Sequence, residues 1–277
     1  MKKSEFLQQK MLKVKSWSLK PVGGSSDRRE GISLLAGFLF IAAWLGLPAM
    51  ATAASTTVTR GPYLQQATPV SLIVRWRTAA ATDSRVRFGD SAVTLTLAAD
   101  HPAVTTEHIV TLTGLTPNTQ YFYSVGSTTE TIAGDASYTF FTPPIVGTRQ
   151  PTRIWVLGDS GTADADAAAV HNAYTTFNDL YPLHLVGPLG AARYTDAFLM
   201  LGDNAYANGT DSEYQAAVYN MYPTLLRQTA LWPTIGNHDT AGSYNPPLTI
   251  PYFNMFSLPT NAEAGGTASG HRKILLV

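Results

Sequence analysis

Three short apolar runs in the second half of the chain, RIWVLGDSG, AFLMLGDNAY and LWPTIGNHDT, each stop at a glycine followed by a metal-competent side chain: Asp159, Asp203 and Asn237. Segments of helical periodicity lie between them. Asp164 is placed to cap a helix in which Val170, Tyr174, Phe177 and Tyr181 recur at helical spacing. A second helix, over roughly 212–227, puts Tyr214, Val218, Met221 and Leu225 on one face. Strands alternating with helices predict an α/β layer with largely parallel strands. In an open sheet of this kind ligands bind beyond the carboxyl ends of the strands, so neighbouring strands would bring the three side chains to one edge. A glycine before each lets the backbone turn sharply and approach the site closely.

The preceding region, 55–143, has a different period. SLIVRWRT alternates, with Leu72, Val74 and Trp76 toward a core and Arg75 and Arg77 toward solvent. Val86 and Phe88 repeat the pattern, as do Ile109 or Val110 with Leu112, then Tyr121, Tyr123 and Val125, and finally Phe140 before a double proline that reads as a linker. Short strands with turns between them predict a β-sandwich. LTPNTQY, ending at Tyr121, resembles the turn into a tyrosine corner of fibronectin type III-like sandwiches, where the phenol bonds back to the backbone just upstream. His101 and His108 read as solvated or packed histidines, not ligands.

Composition narrows the chemistry. The chain has no cysteine, so any metal must be held by oxygen and imidazole. Residues 1–30 hold eight of the 19 Lys and Arg, and the remainder carries 11 basic and 16 acidic residues, net about −5. No basic stripe of a nucleic-acid binder is present. The basic start, the apolar stretch at 32–47 and the small residues after Pro48 read as an export signal, with A-x-A sites at Ala49-Met50-Ala51 and Ala51-Thr52-Ala53, or else as an uncleaved N-terminal anchor. Either makes the rest of the chain secreted or periplasmic. Asn208-Gly209-Thr210 reads as a turn, although it is also a glycosylation sequon.

Asp159 and Asp203 are hard anionic donors, and Tyr206, three residues after Asp203, could return its phenol to the same ion. Two carboxylates and a phenolate would balance Fe(III). Asn237 offers an amide oxygen suited to a divalent neighbour, and Asp203 could bridge. Two ions roughly 3.5–4 Å apart are the arrangement used in hydrolytic phosphoryl transfer. His238 would sit just outside the metals, to hold phosphate or protonate a leaving alkoxide.

GDSG, GDNAY and GNHD together resemble the first three of five signature blocks of purple acid phosphatases, within the calcineurin-like metallophosphoesterases. RGPYLQQATPVSLIVRWRT resembles that family's fibronectin-like N-terminal domain. The resemblance covers about residues 57–265. It implies a β-sandwich (fibronectin III-like) at 55–143 after a signal at 1–53, then an α/β metallophosphoesterase domain at 150–277 of which only about the first half is present. It further implies that Asp159 and Tyr206 bind Fe(III), that Asp203 bridges, and that Asn237 binds a divalent Zn, Mn or Fe. His238 would be the outer-sphere acid, and a small phosphate monoester the substrate. No membrane partner is implied apart from an N-terminal anchor, and the oligomeric state stays open.

The family's last two blocks, Val-x-x-His and Gly-His-x-His, have no counterpart before the end of this sequence. GHRK resembles the last only superficially, with Lys273 where the second histidine would stand, so His271 is not read as a ligand. The expectation is an incomplete chain, from a shifted frame or premature stop, with little or no phosphatase activity and an uncovered apolar sheet face. Two alternatives stand beside it. One is an inactive exported adhesion or carbohydrate-binding protein using the sandwich; the other is a metallophosphodiesterase, against which Tyr206 argues.

Overall fold

The computed structural model describes residues 56–186, 191–193, 195–243, 247–263, 267–268 and 270. The signal or anchor predicted at 1–53 and His271 lie outside the described residues.

The N-terminal region is built on two long strands. β1 (Val58–Gln65) and β3 (Leu97–Thr113) flank β2 (Ser71–Gly89), and the far half of β2 also pairs β4 (Gln120–Gly126). The short strands β5 (Thr131–Ala133) and β6 (Thr139–Phe141) add to β4. A register shift between Arg77 and Thr82 lets β2 pass from one set of partners to the other. The expected alternation is realised: Leu72, Val74, Trp76, Val86, Phe88, Val110, Leu112, Tyr121, Tyr123, Val125 and Phe140 share one core. Ile109 faces out and Val110 faces in. The tyrosine corner is present, with the Thr116 N–H donating to the Tyr121 phenol at 3.0 Å.

His108 is a packed histidine. Its ring stacks on Trp76 at 4.6 Å, and its two nitrogens meet Ser84 and Thr78 hydroxyls, each at 2.8 Å. Arg75, expected in solvent, is instead buried. Its guanidinium donates to the Asn254 carbonyl at 2.5 Å and the Ser257 hydroxyl at 3.2 Å, because the chain after residue 250 covers that face of β2.

After the Pro143-Pro144 link come β7 (Ile154–Leu157), α1 (Ala165–Leu180), a backbone pair β8 (Leu183–Val186) and β9 (Ala191–Arg193), and β10 (Ala197–Leu201). Then follow α2 (Asp211–Tyr214), α3 (Pro223–Leu226), β11 (Ala230–Thr234) and α4 (Pro251–Met255). β10 pairs β7 and β11, both parallel, as the alternation required. β11 in turn pairs β1 in parallel, Leu64 opposite Ala230 and Gln65 opposite Leu231, so the two regions share one nine-stranded sheet. Arg60 of β1 reinforces the join: buried over the Tyr219 ring, it donates to Asp211 at 2.7 Å and to Gln215 at 2.9 Å.

Both predicted helices need correction. The second is not continuous. α2 runs into a π-helical turn, Gln215–Tyr219, and α3 restarts at Pro223, because a residue before proline is pushed out of the helical region; Tyr222 sits at φ −120°, ψ 39°. α1 is capped by Asp164, which accepts from the Ala167 N–H at 2.9 Å. Its packed stripe, however, is rotated from the predicted one. Tyr174 stacks on Trp155 at 4.0 Å, His171 meets the same ring, and Asn178 accepts from Arg153 at 2.7 Å. Val170, Phe177 and Tyr181 stay exposed, since the aromatic and polar contacts on the other side orient the helix.

Burial holds the His108 imidazole down to about pKa 4. The unfolded chain therefore takes up a proton below about pH 6.5 that the folded chain refuses until about pH 4. Stability from this group is full above the unfolded value and falls as pH drops through that window. Between pH 7 and 4.5 the wild type should lose about 2 kcal/mol more than His108→Gln. Urea unfolding of both at the two pH values checks this.

Candidate metal centre

The three strand ends lie side by side. In the ladder Leu157 is opposite Met200, and Met200 is opposite Pro233, so the loops after β7, β10 and β11 leave the same edge. They are laced together by backbone. The Asp159 N–H reaches the Gly202 carbonyl at 3.2 Å, Gly161 N–H the Asp203 carbonyl at 3.1 Å, and Tyr206 N–H the Gly161 carbonyl at 3.0 Å.

Asp159, Asp203 and Tyr206 meet. The phenol oxygen lies 3.1 Å from Asp159 Oδ1 and 3.2 Å from Asp203 Oδ2. The other oxygen of Asp203 accepts the His238 N–H at 2.9 Å. His238 packs its ring 4.5 Å from that of Tyr206, and its Nδ1 donates to the Ala207 carbonyl at 2.8 Å. Asn237 opens the 3-10 turn His238–Thr240 and is exposed; its carboxamide makes no hydrogen bond to the described residues. All five predicted side chains thus belong to one cluster of loops.

The role given to the glycines is only partly right. Gly202 has φ +102°, and a Cβ on it would lie 3.0 Å from Gly236 Cα. A Cβ on Gly236 would lie 2.2 Å from both the Asp203 nitrogen and its Oδ1. Gly158 needs neither freedom, for the nearest atom to its Cβ would be 3.7 Å away. At the first strand end the left-handed backbone falls on Asp159 instead of its glycine, and at the second Asp203 shares a positive φ with Gly202; both aspartates stand at φ +53°. Asp is among the few residues that adopt it readily.

The donor set fits a cation. Oxygen pairs 3.1 and 3.2 Å apart are close to the ~3.0 Å edge of an octahedron with ~2.1 Å metal–oxygen bonds. Burial, and then the Asp159 and Asp203 carboxylates, push the Tyr206 phenol well above its usual range. A cation among these oxygens reverses that preference. Asp159, Asp203 and Tyr206 could therefore hold one hard ion. Among the described residues a second ion would find Asp203 and Asn237, and no group of three or more His, Cys, Asp or Glu there could hold a metal.

Two carboxylates, Asp239 of GNHD and Glu213, were given no role from the sequence. Asp239 is buried behind the site. Glu213 gathers the Ala207, Asn208 and Thr210 N–H groups at 2.7, 3.2 and 2.8 Å, fixing the loop that carries Tyr206. The spacing Thr210-x-x-Glu213 is a capping-box signal that could have exposed the second.

Comparison with known proteins bears on the family resemblance. Residues 61–142 match the family model of the purple acid phosphatase N-terminal domain. "Probable inactive purple acid phosphatase 1" of Arabidopsis thaliana is 25% identical over 169 residues, 57% of this chain and 27% of that protein. The chain thus spans about a quarter of that relative's length. Purple acid phosphatase PPD1 from yellow lupin (Lupinus luteus) seeds superposes with a TM-score of 0.54 at 19% identity, over 74% of this chain and 42% of that one, a likeness of fold. The resemblance to purple acid phosphatases holds, resting on the match of residues 61–142 to that family's N-terminal domain and on these two likenesses.

The glycine geometry separates two substitutions that look alike in sequence. Gly236→Ala should destabilise by about 1–3 kcal/mol, because its methyl overlaps Asp203. Gly158→Ala should be neutral or slightly stabilising. Urea midpoints of the two variants check the contrast.

Proposed function

We propose that Asp159, Asp203, Tyr206, Asn237 and His238 form a metallophosphoesterase centre of the purple acid phosphatase type, built for phosphate monoesters. The observation that carries this reading is the meeting of two carboxylates and a phenol at the carboxyl ends of parallel strands. The family's N-terminal domain at 61–142 supports the phosphoesterase class.

In this reading Asp159, Tyr206 and Asp203 would hold Fe(III), and Asp203 and Asn237 would serve a divalent Zn, Mn or Fe. When bound, the ions supply Lewis-acid charge and activate water for in-line attack on phosphorus. The chain's own residues orient and move protons. Tyr206 would bind the ion as a phenolate, its proton passing to solvent, beside the Asp159 and Asp203 oxygens it meets at 3.1 and 3.2 Å. Asp203 is kept in place by the His238 N–H on one oxygen. His238 donates from Nδ1 to the Ala207 carbonyl, so in its imidazolium form the Nε2–H is free to donate to a phosphate oxygen and to pass its proton to the departing alkoxide, leaving the neutral ring. The substrate is a small phosphate ester, reached outside the cytoplasm. No described helix is long and apolar enough to cross a membrane.

A second reading, binding without turnover, is favoured by the word "inactive" in the Arabidopsis relative's name. We place the chain toward that end, with one ion held by Asp159, Asp203 and Tyr206 and hydrolysis weak. The protein should take up a single equivalent of iron, and Asp203→Ala should abolish uptake. Hydrolysis of p-nitrophenyl phosphate at acid pH with iron and zinc should stay near background. Failure to bind iron would sink the metal reading. Robust turnover that disappears in Asp203→Ala would instead replace the impaired enzyme by an active one.

A further inference from the structure

Asp239 is 1% exposed, and its carboxylate has no Lys or Arg partner among the described residues. Four donors satisfy it instead. Oδ1 accepts the Asn204 N–H at 3.0 Å and the Tyr214 hydroxyl at 2.6 Å; Oδ2 accepts the Asn204 carboxamide at 2.9 Å and the Gly236 N–H at 2.8 Å. A buried carboxylate is costly, and one this fully hydrogen-bonded persists only where its partners are held rigidly.

The partners reveal what is being held. Asn204 follows Asp203, and Gly236 precedes Asn237. Tyr214 belongs to α2, next to the Glu213 that fixes the Tyr206 loop. Asn204 also donates to the Thr234 carbonyl at 2.8 Å, the last residue of β11. From the other side Gly209, at φ +61°, closes onto the Asp239 backbone so tightly that a Cβ would lie 2.5 Å from its carbonyl oxygen. One carboxylate thus ties the loops after β10 and β11 at the point where the His238 N–H meets Asp203.

We propose that Asp239 is a positioning residue for the metal ligands, setting Asp203 against Tyr206 and Asn237 without itself touching metal or substrate. This rests on the metal reading above.

The test is a titration with ferric nitrilotriacetate, read by the visible charge-transfer band that a phenolate gives on Fe(III). Wild type should develop the band, and Tyr206→Phe should not. Asp239→Asn keeps the side chain's size but turns one acceptor into a donor facing N–H groups. It should need at least tenfold more iron for half-saturation, or give a displaced band, while its far-UV circular dichroism stays that of wild type. Tyr214→Phe removes one of the four donors and should shift half-saturation a few-fold; it carries the test if Asp239→Asn does not fold. A merely structural role would lower the unfolding temperature and leave the iron curve unchanged. A folded variant whose titration superimposes on a normal wild-type curve therefore overturns the positioning role alone. Absence of the band in wild type overturns the metal reading and this proposal with it.

Discussion

Two residue pairs, Leu64 with Ala230 and Gln65 with Leu231, make one sheet out of two regions of opposite periodicity. Everything at the candidate centre hangs from the strands beyond that junction. β11 is fixed on one side by β1 and on the other by β10, and β10 fixes β7. Side chains deepen the join. Arg75 reaches the chain around α4, the Tyr63 hydroxyl reaches the Met255 carbonyl, and Gln65 accepts from the Ser257 N–H. Groups of this kind, once buried, are costly to leave unpaired, so the contacts fix orientation more than they add stability.

Beyond the junction the structure concentrates negative charge and backbone constraint in the same place. Asp159 and Asp203 both occupy left-handed backbone, and both face the Tyr206 phenol. Glu213 and Asp239 restrain the loops from behind using N–H and O–H donors. Their charge is therefore spent on geometry, whereas the charge of Asp159 and Asp203 faces an exposed position that a cation suits.

The parts of this arrangement that were legible in the sequence are those with a period or a repeat. Alternation identified Leu72, Val74 and Trp76 as core because one face of β2 is apolar throughout. It could not show that Arg75 would be covered, since what lies over the second face is a segment almost 180 residues away. The strand ends were legible because the same grammar occurs three times. The break before Pro223 was written in the proline but was overridden by an unbroken apolar stripe. The face of α1 was misjudged because stacking on Trp155 and hydrogen bonds to Arg153 outweighed the burial of Val170 and Phe177. Asp239 lay hidden in a polar loop, where no periodicity separates an inward carboxylate from an outward one.

The junction also imposes an order on synthesis. β1 is made about 165 residues before β11, which at ~5–20 residues per second is roughly ten to thirty seconds. Over that interval the edge of β1 has no strand beside it, and an open edge invites pairing with other nascent chains. The sequence of β1 answers this with Arg60 and Pro62, a charge and a missing donor within VTRGPYLQ. Arg60 would thus serve twice: first as a guard on the unpaired edge of a growing polypeptide, and later as the clamp that closes on Asp211.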